Sequence, residues 1–198
     1  MTVLPIRVVG DPVLHAPTVP LPGGDRPELT DATRQLIADM VDTLRESRGV
    51  GLSANQIGSS ARIFVYDCPE GVERTERRRG VVVNPVMVGS EAPTEPPDED
   101  RDQEGCLSVP GFMFPIARSD WARVRGFDGD GRPVVVEGRS VFARMLQHEM
   151  AHLDGILYVD QLVEPYATVA NQALKALATS GWAKPWTPGV DPHPFAPS

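Results

Sequence analysis

His148, Glu149 and His152 stand in the run His-Glu-Met-Ala-His. On an α-helix, two histidines four positions apart lie one turn apart on the same face, so both imidazoles can reach one metal ion. Glu149 is turned by about 100° from His148 and can reach water beside such an ion. The competing reading is a pair of histidines satisfied by hydrogen bonds inside a buried helix. A buried His pair beside a buried Glu is costly without a cation, which favours the metal. The pattern names a metal site and not a reaction. A catalytic centre with three protein ligands and one open position needs a further donor. Proteases of the metzincin type place a third His six residues after the second, where this chain has Tyr158. His15 and His193 fall in Pro-rich extended segments and read as surface residues. Of the two cysteines, Cys106 is the better third ligand, and Cys68, ending a hydrophobic strand, reads as core packing.

These residues need elements to hold them. Thr30 or Asp31 caps a helix running through Ser47, with Leu36, Ile37, Met40, Val41 and Leu44 as its apolar stripe and Gly49 as its stop. Ala61–Cys68 and Val81–Val88 read as strands joined by a charged loop containing Arg74, Arg77, Arg78 and Arg79. Positions 91–104 carry seven carboxylates and three prolines and read as an exposed loop. Asp120–Glu137 reads as a hairpin turning at Asp128–Gly131. Ser140 caps a helix through Asp154, ended by Gly155; it is apolar nearly all round and belongs at the centre of the molecule. Pro165 opens a last helix near Glu164–Ser180, with Val169, Ala173, Leu174 and Leu177 on one side. A Pro-rich tail, 182–198, lies extended.

Composition narrows the class. The chain has 198 residues, 41% hydrophobic, enough for one domain with a real core and too apolar for disorder throughout. No run approaches the roughly 18 apolar residues of a membrane-crossing helix, and the N-terminus lacks a signal pattern, so a cytoplasmic location is expected. With 19 basic against 27 acidic residues, a net charge of −8 argues against tight binding to a polyanion. Beyond Gly155 only Lys175 and Lys184 are basic, so no patch exists for docking on ribosomal RNA. Eighteen glycines and 20 prolines, well above the average share, mean many turns and few long helices.

Three separated motifs together resemble peptide deformylase. They are Gly49-Val50-Gly51-Leu52-Ser53-Ala54-Asn55-Gln56, Glu104-Gly105-Cys106-Leu107-Ser108, and Gln147 to Gly155, which matches QHExxHLxG without a gap. The GDPVL at Gly10–Leu14 also fits, and the resemblance runs from about residue 5 to about 165. The C-terminal helix, tail and acidic loop look like the actinobacterial branch. Ser53 departs from the usual Ala, a small-for-small change expected to leave the chemistry alone. The resemblance implies an α+β fold, with short antiparallel sheets around the helix bearing His148 and His152. It implies hydrolysis of the N-formyl group from formyl-methionyl nascent chains, and with the length of the chain a single domain is expected over 1–181, followed by the tail.

It further implies that Cys106, His148 and His152 hold one divalent ion, Fe2+ in the cell, with Zn2+, Ni2+ or Co2+ in purified protein. Glu149 then serves as general base and acid. The Gln56 amide and the Leu107 N–H stabilise the oxyanion, while Gly51 and its neighbours pair with the substrate backbone. Val50, Gly105, Val141, Arg144 and Met145 fall around the substrate, and Glu104 supports the Cys-bearing strand. Two rivals remain at this level. A general zinc protease would need another downstream carboxylate or His ligand; a metal-bearing peptide binder without turnover would have lost Glu149 or Gln56. One departure is specific to this chain. Arg144 lies on the face of His148 and His152, and Asp102 is expected to neutralise it.

Overall fold

The computed structural model describes residues 2–70, 76–91, 93, 95–179 and 184–195. Helix α1 (Asp31–Ser47) starts behind Thr30, whose hydroxyl accepts from the Thr33 N–H at 3.2 Å. This satisfies one orphan donor of the first turn. The helix stops at Arg48, which itself takes the left-handed conformation (φ 54°) rather than leaving that to Gly49. Strands β1 (Gly51–Ser53), β2 (Ile63–Glu70) and β3 (Glu76–Ser90) follow, then β4 (Gln103–Cys106), β5 (Val109–Pro115), β6 (Trp121–Phe127) and β7 (Pro133–Arg139). Helices α2 (Ser140–Leu153) and α3 (Tyr166–Thr179) close the order. One antiparallel sheet runs β1-β2-β3-β6-β7, and β4 pairs with β5 alone. The expected α+β class holds, although β3, at 15 residues, is not short.

The layering follows from β2. Its side chains alternate, as strand geometry requires. Phe64, Tyr66 and Cys68 join Phe142, Met145 and Leu146 of α2 in one core cluster. Ile63 and Val65 join Ile37, Met40 and Leu44 of α1 in another. The sheet is thus covered on both faces where β2 runs, and α2 sits in the middle of the molecule with Phe142, Leu146 and Leu153 at most 1% exposed. Cys68 is fully buried, and burial pushes its thiol up to about 12, which keeps it inert.

Three expectations need correction. Arg77, Arg78 and Arg79 are not loop residues but lie in β3, paired with β2; Arg74 is outside the described residues. Arg77 and Arg79 bond Asp67, and Arg78 bonds Glu70 and lays its guanidinium 4.3 Å over the Phe142 ring. Their long apolar stems are what let a charged run occupy a strand. Ser140 does not cap α2. It is the first helical residue, and the Asp120 carboxylate from the bend before β6 accepts from its N–H (3.2 Å) and hydroxyl (3.4 Å). On α3 the buried positions are Ala170 and Leu177, with Ala173 and Leu174 partly covered, while Val169 is exposed. The true stripe is i, i+3, i+4, i+7 from Ala170.

The tail is the fourth correction, since it does not simply lie extended away from the body. Trp186 is 3% exposed and pairs with Ile6 by backbone bonds in both directions, at 2.8 and 3.2 Å. Its indole N–H donates to the Leu107 carbonyl at 3.0 Å. Trp186→Ala should therefore destabilise the whole domain by roughly 3 kcal/mol. Thermal unfolding should show a drop of about 2–4 °C per kcal/mol; an unchanged melting temperature would mean the tail is not part of the folded unit.

Candidate metal centre

Two segments meet at α2. From β4 comes Cys106, whose sulfur lies 3.1 Å from His152 Nε2; His152 Nε2 in turn lies 3.1 Å from His148 Nε2. The three ligand-type atoms fall within 4.8 Å of one another, two of them a helical turn apart as the spacing requires. His148 Nδ1 is committed to Glu104 Oε1 at 2.6 Å, so it carries the proton and leaves the Nε2 lone pair facing the cluster. Two imidazole nitrogens and a sulfur converge as electron-pair donors, and a shared cation is what such a set fits. The buried His152 Nδ1 has no partner among the described residues.

Glu104 is not the end of an exposed loop, as its acidic neighbourhood suggested. It is 5% exposed and lies in β4 opposite Phe114. Arg118 grips it with two bonds (2.6 and 3.1 Å) and Arg144 adds one at 3.2 Å. Burial alone would push this carboxyl up; His148 and Arg118 override it and hold Glu104 well below the usual carboxylate range. Arg144 also reaches Asp102 at 2.7 Å, the pairing expected from the sequence, and Asp102 supplies the second negative charge against two arginines. Arg118 has no local signal in the sequence; its partners lie 14 and 43 residues away.

Glu149 is 2% exposed. Burial pushes its carboxyl up to about 7, against the opposing pull of His148 and of Ser53, whose hydroxyl donates to Oε2 at 2.7 Å. Ser53 is therefore no silent replacement for Ala: its hydroxyl touches the Glu149 carboxylate. Gly51 packs directly on that carboxylate, and any Cβ there would collide with Oε1. Gln56 Oε1 accepts from the Ser53 N–H at 2.9 Å, which turns its amide NH2 toward Ser108 Oγ (3.2 Å) and the Cys106 sulfur (3.6 Å). Asn55 donates to the His152 carbonyl at 2.5 Å and fixes the end of α2.

A cavity of about 350 Å³ opens over these groups. Val50, Gly51, Gln56, Glu104, Gly105, Cys106, Leu107, Val141, Arg144, Met145, His148 and Glu149 all line it; His152, 1% exposed, does not. Met113, His193 and Phe195 line it too and were not anticipated. His193 corrects the reading of an ordinary surface residue. Its Nε2–H donates to the Ser47 carbonyl at 2.9 Å. Tyr158, where a metzincin would carry its third His, is buried with its hydroxyl on the Phe112 carbonyl at 3.1 Å and stays outside the ligand cluster.

The family model for polypeptide deformylase matches residues 3–167. The chain belongs to the polypeptide deformylase family. A peptide deformylase from Mycolicibacterium paratuberculosis (strain ATCC BAA-968 / K-10) is 57% identical, the match covering 98% of this chain and 99% of that one. Another, from Mycobacterium sp. (strain JLS), is 55% identical over the same shares. Among solved structures, the deformylase of Thermus thermophilus is 39% identical with a TM-score of 0.72, covering 88% of this chain and 94% of its own. The Ehrlichia chaffeensis deformylase in complex with actinonin aligns with a TM-score of 0.75 at 29% identity, covering 91% and 100%. The chain is thus a deformylase of actinobacterial type.

The Arg144–Asp102 contact can be tested directly. Arg144→Leu and Asp102→Ile should each lower unfolding free energy, and the double variant should recover part of the loss, with a coupling of about 1 kcal/mol. Effects that add to within ~0.3 kcal/mol in denaturant unfolding would deny the pair any energetic role.

Proposed function

We infer that this protein hydrolyses the N-formyl group from the N-terminal formyl-methionine of nascent polypeptides, releasing formate. The observation that carries the reading is one buried carboxylate, Glu149, lying beside a Cys/His/His donor set at the floor of a cleft with a glycine lip. Cys106, His148 and His152 would hold a single divalent ion, which when bound supplies Lewis acidity toward water and the formyl carbonyl. Ferrous iron is the ion we assign in the cell, and zinc, nickel or cobalt suit the same mixed sulfur and nitrogen set in purified protein.

Glu149 takes a proton from the attacking water as its oxygen bonds to the formyl carbon. It then delivers that proton to the amine nitrogen as the C–N bond breaks. Ser53 holds the carboxylate in place by its 2.7 Å bond. The Gln56 amide and the Leu107 N–H donate to the developing oxyanion, a role typically worth about 3 kcal/mol per donor. Gly51 and Val50 offer backbone to the peptide in the manner of an added strand, with Gly105 opposite. Val141, Met145 and the stem of Arg144 line the methionine pocket, while Glu104 fixes the His148 ring.

The catalytic unit is residues 1–181, with its core over about 5–165, followed by the tail 182–198. Its setting is the cytoplasm, close to the ribosome as nascent chains emerge, without a basic docking patch and without specific nucleic-acid binding. In support, no helix among the described residues is long and apolar enough to cross a membrane.

Formate release from formyl-Met-Ala-Ser by anaerobically handled protein tests the reading, and two variants separate its parts. Cys106→Ser should lose bound metal, because an alcohol is a far poorer donor than a thiolate. Glu149→Gln should keep metal and fold yet lose about 10²–10⁴-fold in turnover. Full metal content in the first, or near-normal formate release in the second, would remove that residue from its role. Ser53→Ala removes a bond to the charged form of Glu149, so the carboxyl titrates higher. The acid limb of kcat/KM should then move to higher pH; an unmoved limb would leave Ser53 with packing alone.

A further inference from the structure

The tail lies beyond the family match, which ends at residue 167. Four prolines at 185, 188, 192 and 194 limit its freedom, and a turn closes it where the Thr187 N–H donates to Asp191 Oδ2 at 2.6 Å. Trp186 is fixed on Leu107, one residue after the ligand Cys106. His193 uses both ring nitrogens: Nε2–H donates to the Ser47 carbonyl at the end of α1, and Nδ1 accepts from the Phe195 N–H at 3.2 Å. Trp186 and His193 meet edge to face at 5.6 Å. The Phe195 ring is thereby laid over Gly105, one residue before Cys106, where an added Cβ would touch it at 3.5 Å.

The tail therefore spans the cleft from the α1 side to the β4 side. It leaves a cavity of about 350 Å³, within the usual range for a ligand pocket, so the ring borders the space and does not fill it. Val50, Gly51, Gly105 and Phe195 all line this space, so a peptide held there by its formyl-methionine must bring its next side chain against one of its walls. We propose that Phe195, seated by His193, forms an aromatic wall for the side chain of the second substrate residue and selects peptides with an apolar residue there. Phe195 would contact substrate, and His193 is a positioning residue. The proposal rests on the deformylase reading.

The test compares formyl-Met-Leu-Ser with formyl-Met-Gly-Ser on the full-length, metal-loaded protein. The wild type should favour the leucine peptide by about tenfold in kcat/KM, equivalent to about 1.4 kcal/mol. Phe195→Ala should bring the ratio near one, Phe195→Leu should restore part of it, and His193→Ala should lower it. Because both peptides are read on one preparation, partial unfolding cancels from the ratio. A ratio unchanged in Phe195→Ala would overturn the wall. So would an equal rise in kcat/KM for both peptides, which would make the tail a plug. If the wild type releases no formate from either peptide, the deformylase reading falls by itself. The wall would then stand or fall on the ratio of calorimetric dissociation constants for the same two peptides in wild type and Phe195→Ala.

Discussion

Much of the site depends on one buried carboxylate. At 5% exposure Glu104 would be costly unless fully paired, and it is: Arg118 twice, Arg144 once and His148 once. Those partners come from the loop before β6 and from two successive turns of α2. Glu104 itself is two residues from Cys106 on β4. A single group thus ties the strand that carries the sulfur of the Cys/His/His group to the helix that carries its two imidazoles. Two arginines stand against Glu104 and Asp102, so the cluster is neutral when His148 donates as an uncharged imidazole. Dropping Arg118 would leave the cluster one positive charge short around a carboxylate that is 5% exposed.

The opposite side of α2 is held by a short, continuous piece of chain. Gly51, Ser53, Asn55 and Gln56 fall within six consecutive positions, and each bears on the site. Gly51 yields space to Glu149, Ser53 bonds its carboxylate, Asn55 holds the last turn of α2, and Gln56 is aimed at the Cys106 sulfur. The Ser53 backbone N–H further holds the Gln56 amide in that orientation. The helix is clasped between this segment and β4, with the Cys106, His148 and His152 donor atoms gathered at one place.

What could be read in advance was what is local. The His148–His152 spacing, the Thr30 cap and the Arg144 face follow from helical geometry within a few residues. Cys106 and Gln56 became legible only through the motifs that surround them. Glu104's burial, Arg118 and the Ser53–Glu149 bond were not legible, because their partners lie 14 to 96 residues away and are set by sheet register. Charge density misled twice, at Glu104 and at Arg77–Arg79, since a run of charged letters says nothing of where arginine stems and carboxylate partners go. Proline content misled once: it marks restricted backbone, and in the tail that restriction serves a docked conformation instead of a free one.

The double-sided burial of β2 has a mechanical meaning. Slipping the strand by one position would send Phe64, Tyr66 and Cys68 into the α1 layer and Ile63 and Val65 into the α2 layer. Large rings would enter slots shaped for branched aliphatics, and the two helices would be wedged apart from opposite sides at once. Alignment of this strand is therefore enforced by two independent errors where a one-faced sheet would register a single one. Since β1 hangs on β2 by Gly51↔Tyr66 and Ser53↔Phe64, that vernier fixes the height at which Gly51 and Ser53 meet Glu149.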